Sequence, residues 1–140
     1  MATDTTAGFK YMGRMSGQPD IILRLKFADT GTLTKGDMIA LDDGEAALAA
    51  TDDSAILGVA LETKAGTESE TEIEVIAAPD AVYAVYDPNA RAVGATLDLS
   101  GATGAQTVAA SSNADFVVIA PSTADEWTLV IITQGNHAFN

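Results

Sequence analysis

The chain has 140 residues, 47% of them hydrophobic and 6% aromatic, with no cysteine and a formal net charge of −13. That length is one ordinary domain with room for a core, and the apolar share excludes disorder over the whole chain. The missing cysteine excludes disulfides, thiolate metal sites and cysteine nucleophiles, and the negative charge argues against nucleic acid as a partner.

The first residues lack the apolar stretch of a secretory leader, and no run approaches the roughly 18 apolar residues that span a bilayer. A soluble protein made in a cytoplasm, with no membrane partner, is expected. Residues 1–19 have no clear period. Gly8, Gly13, Gly17 and Pro19 interrupt Phe9, Tyr11, Met12 and Met15. This reads as an extended N-terminal arm, because glycine and proline punctuate it too often for a helix. Its aromatic and methionine side chains fit a segment that orders against a surface, either a partner's or that of its own domain.

From Asp20 the pattern changes. Ile21, Leu23, Leu25 and Phe27 alternate with Ile22, Arg24 and Lys26, the period of a strand with one buried face. Charge is uneven on either side of this strand's turn. Residues 1–35 hold five cations against three acids (+2), and residues 36–140 hold two cations against seventeen acids (−15). A basic head on an acidic body points to two surfaces with different roles.

Beyond residue 35 come short apolar runs at 38–41, 45–50, 55–62, 71–78, 81–86, 95–99, 106–110, 115–120 and 127–134. Turn residues separate them, among them Asp42-Asp43-Gly44, Asp52-Asp53-Ser54, Ala65-Gly66-Thr67 and Asp87-Pro88-Asn89. Short strands with frequent turns predict an all-β fold, a small barrel or sandwich-like domain over 20–134, with a tail at 135–140. The Ala-rich 45–50 stretch and positions 90–95 are each compatible with a brief helical turn.

The chain offers little for chemistry. His137, the sole histidine, lies near the C-terminus, where a fraying tail gives a catalytic base no orienting partner. Seven serines include no nucleophile elbow. Gly31–Asp37 approaches a phosphate loop, but Asp37 stands where the lysine belongs, so it reads as a turn. Glu68, Glu70, Glu72 and Glu74 share one face of a strand and read as a solvated surface, not as a metal site. Asp42, Asp43, Asp52 and Asp53 lie in turns without the aromatic cleft of a glycosidase. No catalytic residue, metal, cofactor or small-molecule substrate is expected.

Thr34-Lys-Gly-Asp37-Met-Ile-Ala-Leu41, the short strand at 45–50, and Ala55-Ile-Leu-Gly58-Val59-Ala60 follow one another in a recognisable order. Together with Asp87-Pro-Asn, Val93-Gly94-Ala-Thr-Leu97, Asp115-Phe-Val-Val-Ile and the closing strand 127–133, the layout resembles the capsid cement (head decoration) proteins of tailed bacteriophages. The resemblance implies a non-enzymatic β-barrel or β-tulip module on the outer surface of the virion head. Its partner would be the major capsid protein, whose neighbouring subunits it bridges as a homotrimer. On that reading Phe9, Lys10, Tyr11 and Arg14 of the arm, with Ile22, Arg24 and Lys26 of the first strand, face the capsid or a neighbouring subunit. The cations would meet acidic surface, the aromatics would fill pockets, and the strand would lend main-chain hydrogen bonds. Other readings are a tail or fibre component of the virion and a carbohydrate-binding β-sandwich using Trp127 or Tyr83.

Overall fold

A computed structural model describes residues 8–50, 55–87, 89, 91–110, 114–121 and 127–139. The fold is all-β. The described residues form thirteen strands, β1 (Phe9–Arg14), β2 (Ile22–Lys26), β3 (Gly31–Leu33), β4 (Met38–Asp42), β5 (Glu45–Leu48), β6 (Ile56–Val59), β7 (Lys64–Gly66), β8 (Glu72–Ile76), β9 (Ala81–Tyr86), β10 (Thr96–Ser100), β11 (Thr107–Ala110), β12 (Phe116–Ala120) and β13 (Trp127–Ile132). The described helical structure is one 3-10 turn at Gln134–Asn136. Neither expected helical turn forms among the described residues, and Asp52, Asp53 and their turn lie outside them.

A six-stranded antiparallel sheet runs in the order β1-β9-β13-β12-β10-β11; a three-stranded sheet runs β5-β4-β6; β2 pairs with β8, and β3 with β7. The large sheet curls without closing into a barrel. Its two ends still approach: Gly8 N donates to Gln106 O at 2.7 Å, and Thr107 Oγ1 to Tyr86 O at 3.3 Å.

The layers follow from side-chain alternation. In β13, Thr128, Val130 and Ile132 point inward while Trp127, Leu129 and Ile131 stay half-exposed. The inward row joins Phe9, Tyr83, Val85, Leu97 and Phe116 in one core, packed on Met38, Ala40, Ile56 and Val59. Ile39 and Leu57, the alternate residues of β4 and β6, point the other way. They meet Phe27, Leu33, Ile73 and Val75 in a second core. β4 and β6 are therefore a middle layer buried on both faces, which is why their sequences read as continuous apolar runs. Gly58 permits the closest approach. A β-carbon there would stand 2.0 Å from Ile76 O and 2.6 Å from the Tyr83 hydroxyl.

The expected arm at 1–19 needs correction from residue 8 onward. Phe9–Arg14 is an edge strand of the large sheet, paired with β9 from Phe9↔Val85 to Arg14↔Ala81. The segment has a strand period interrupted by a bulge between Tyr11 and Gly13 that leaves Met12 outside, and this hid the alternation. The expected tail at 135–140 is likewise tied down. His137 is buried, and Ala138 N donates to Ile56 O at 2.9 Å.

Candidate interaction surface

The residues expected to meet a partner fall into three groups. Phe9 is core. Its ring lies 5.1 Å from that of Phe116 and 6.4 Å, edge-on, from that of Tyr83. It is unavailable to a partner, because the first inward position of β1 faces the central layer. Tyr11 is half-buried beside Tyr83, and its hydroxyl donates to Asp20 Oδ1 at 2.6 Å. Burial, and then the neighbouring Asp20 carboxylate, push that phenol up to about 12.

The cations are largely satisfied at home. Lys10 Nζ sits 4.4 Å from the Trp127 ring centroid, a cation–π contact. Arg14 pairs with Asp80 at 2.6 Å and also donates to Pro19 O. Partial burial works against the Asp80 carboxyl, but hydrogen bonds from Ser16 and Arg14 hold it down at about 2. Arg24 pairs with Glu74 at 2.7 Å. Lys26 stands opposite Glu72 in the β2–β8 ladder and makes no ion pair with a described residue. Arg14 and Arg24 thus have their charge offset by a neighbouring carboxylate, whereas Lys10 and Lys26 make no ion pair with a described residue.

β2 belongs to the body, since its ladder runs from Ile22↔Ile76 to Lys26↔Glu72. Ile21 and Ile22 are exposed at its start. Ile21 O accepts from Ala77 N, so the strand spends its odd-numbered main-chain groups on β8. Next to this rim Met15 N donates to Asp80 O, and Arg14, Pro79, Asp80, Ile131, Gln134, His137 and Phe139 line a cavity of about 450 Å³. Nothing in the sequence points to this cavity, because its walls come from three separate segments, Arg14, Pro79–Asp80 and the stretch 131–139.

The acids singled out by burial are structural. Asp37 accepts from Thr34 N and Gly104 N, both at 2.8 Å, and from the Thr103 hydroxyl. It clamps the β3–β4 turn to the loop before β11. Asp115 accepts from Leu99 N at 2.8 Å, and Asp87 takes Arg91 in an ion pair at 2.6 Å. Both ring nitrogens of His137 are engaged. Nδ1 accepts from Phe139 N at 2.9 Å, so Nε2 carries the proton it donates to Leu57 O at 2.8 Å. Tyr83 is wholly buried, and Trp127 meets Tyr86 edge-on with Lys10 over its ring, so neither is an open platform for sugar. Glu72 and Glu74 share the solvent side of β8, whereas Glu68 and Glu70 lie in the preceding turn. No cluster of three metal-ligating side chains exists among the described residues.

Fold and surface together define a layered all-β module. No family model matches the chain, and no curated protein sequence matches it. Among solved structures it is similar to the head fiber gp8.5 N base of bacteriophage phi29, with 16% identity and a TM-score of 0.51. The alignment covers 83% of this chain and 98% of that one. At this identity the likeness shows a shared fold.

Proposed function

We propose that the chain is a non-enzymatic structural component of a phage virion, attached to the head. The observation that carries this reading is the fold shared with a head-fiber base, spanning nearly all of that structure. The role of the buried polar groups agrees with it. Asp37, Asp115 and His137 are each spent on holding loops or strands together.

A base module of a head-attached fibre is the form this likeness favours. Capsid cement, bridging neighbouring major capsid subunits from the outer surface, is the narrower version of the same reading. In either case the contact would involve the rim formed by Met15, Ile21, Ile22 and the start of β2, where apolar side chains are exposed beside Arg24 and Lys26. Phe9 takes no part.

The test is immunogold electron microscopy of intact virions, tail-less heads and isolated tails from the phage that encodes the chain. Label on heads is expected. Label confined to tails, or absence from washed virions, would overturn the proposal. Heads lacking the protein then separate its two forms: loss of thermal or osmotic stability marks cement, and unchanged stability marks a fibre base.

A further inference from the structure

The cavity beside Arg14 is lined unlike the rest of this acidic chain. The net charge is −13, yet the charged residues of these walls are one cation and one acid, Arg14 and Asp80, joined at 2.6 Å. Asp80 is ionised at neutral pH, since its carboxyl is held at about 2, and the His137 ring is neutral. The walls therefore sum to zero charge. They also keep hydrogen-bonding capacity of both kinds. Arg14 spends Nε on Asp80 and Nη1 on Pro19 O, and its Nη2 has no acceptor among the described residues. Asp80 receives Arg14 on Oδ1 and Ser16 N on Oδ2, which leaves lone pairs over. The side-chain amide of the exposed Gln134 has no partner among the described residues. The remaining wall is apolar, with Ile131 and Phe139. Phe139 is the one aromatic among the large apolar side chains exposed in the described residues, at 49%. It is held in place: its N donates to His137 Nδ1 at 2.9 Å, and the two rings lie 6.0 Å apart.

We propose that this cavity binds a neutral saccharide, with a sugar ring on Phe139 and its hydroxyls on Arg14, Asp80 and Gln134. Charge selects the class of ligand. An anion would meet the Asp80 carboxylate and a chain of charge −13, and a cation would meet Arg14. A wholly apolar ligand would take the ion pair and the Gln134 amide out of water and give no hydrogen bond in return, which costs free energy. A hydroxyl group both donates and accepts, so a sugar satisfies the carboxylate, the guanidinium and the amide together. The C–H groups on a sugar's flat face suit the negative face of an aromatic ring. The volume of about 450 Å³ falls within the range of about 300–1,000 Å³ typical of small-ligand sites, and admits a mono- or disaccharide. The site differs from the platforms that Trp127 and Tyr83 suggested, which are closed. This inference concerns the chain alone and survives if the virion reading fails.

Nuclear magnetic resonance on the full, nitrogen-15-labelled chain tests it. The probes are lactose, cellobiose, maltose and N,N′-diacetylchitobiose, with glucose 6-phosphate as the anionic comparison, each up to about 50 mM. At least one neutral probe should cause saturable shifts at the Gln134 side-chain amide, the Arg14 Nε–H and the Phe139 amide, and glucose 6-phosphate should cause none. Phe139→Ala should weaken that binding about tenfold. Gln134→Ala should weaken it as well, and Trp127→Phe should leave it unchanged. No shift at these groups with any neutral probe overturns the proposal, as do shifts with glucose 6-phosphate alone. A Phe139→Ala protein of unchanged affinity overturns it too, and so does loss of binding in Trp127→Phe, which would move the sugar to the Lys10–Trp127 contact. If Phe139→Ala does not fold, Gln134→Ala decides, and unchanged affinity there overturns the proposal.

Discussion

The six-stranded sheet and the three small sheets opposite it are held together by different means. The large sheet relies on long ladders and a continuous apolar face, with Phe9, Tyr83 and Phe116 at its centre. The small sheets have strands of three to five residues and short ladders. They depend on close backbone approach at Gly58 and on side-chain clamps from Asp37, Gln106 and His137. Gln106 spans the two halves: its Oε1 accepts from Met38 N at 2.5 Å and its Nε2 donates to Ala49 O at 3.1 Å. Burial tolerates small shifts, whereas clamps and close approaches do not. The small sheets should therefore fail through single atoms, and the large sheet through lost volume.

The largest effect is expected where the halves meet. In Gly58→Ala the new methyl would overlap Ile76 O, a backbone atom that cannot swing aside. We expect a loss of about 4 kcal/mol or more, with urea denaturation as the readout. A variant within 1 kcal/mol of wild type would show that the layers separate freely and would end the distinction. Next comes the large sheet itself. Phe116→Ala should cost about 3–5 kcal/mol from lost burial and the cavity left behind. Its neighbour on the opposite face, the half-buried Val117, should cost under about 1 kcal/mol as Val117→Ala. Similar losses at both positions would mean that the outer face of the sheet carries as much packing as the inner one.

Sequence reasoning succeeded where the large sheet's rules apply and failed where the clamps decide. The runs at 81–86, 115–120 and 127–134 are strands within one or two residues, because alternation and β-branched residues determine them. Strand β1 was hidden by its bulge at Met12. The three-residue strands β3 and β7 are too short to show any period, and they exist because Gly31, Thr32 and Leu33 find partners in 64–66. Leu33 alone of the three is buried. His137 looked like tail because its anchor, the Leu57 carbonyl, lies 80 residues away. The cations looked like a docking patch because sequence shows Lys10 and Arg14 together but not the Trp127 ring and the Asp80 carboxylate that engage them. The apolar outer face was legible in principle: Trp127-Thr-Leu-Val-Ile-Ile132 has no polar row to turn to water.

A third effect is that of the charged clamp. Asp37→Ala strips the acceptor from Thr34 N, Gly104 N and the Thr103 hydroxyl at once. Hydrogen bonds to a carboxylate are worth about 1.5–3 kcal/mol, and solvent reaching the 101–105 loop recovers part of that, so a loss of about 2–3 kcal/mol is expected. Hydrogen exchange should accelerate at the Thr34 and Gly104 amides before it does in β13. Uniform acceleration would mean that the clamp is part of the global unit.

The smallest effect is the neutral clamp, and it is visible through pH. Burial lowers the His137 pKa from its ordinary 6.5, and the Leu57 carbonyl raises it in part. The fold therefore favours the neutral ring, while the unfolded chain takes up a proton near 6.5. The stability His137 contributes is full above pH 6.5 and declines as pH falls from there through the folded-state pKa. Protonation at Nδ1 would also set two donors face to face, the ring and Phe139 N. Arg14 is the cation lining the adjoining cavity, and its charge is offset by Asp80. Asp80 itself, held at about 2, loses its contribution only well below this window, between its unfolded value of 3.8 and about 2. Thermal unfolding should thus show a decline as the pH falls below 6.5 that His137→Gln removes, while the decline below pH 3.8 persists in both proteins. An unchanged slope in His137→Gln would place the sensitivity elsewhere and reduce the C-terminal clamp to packing alone.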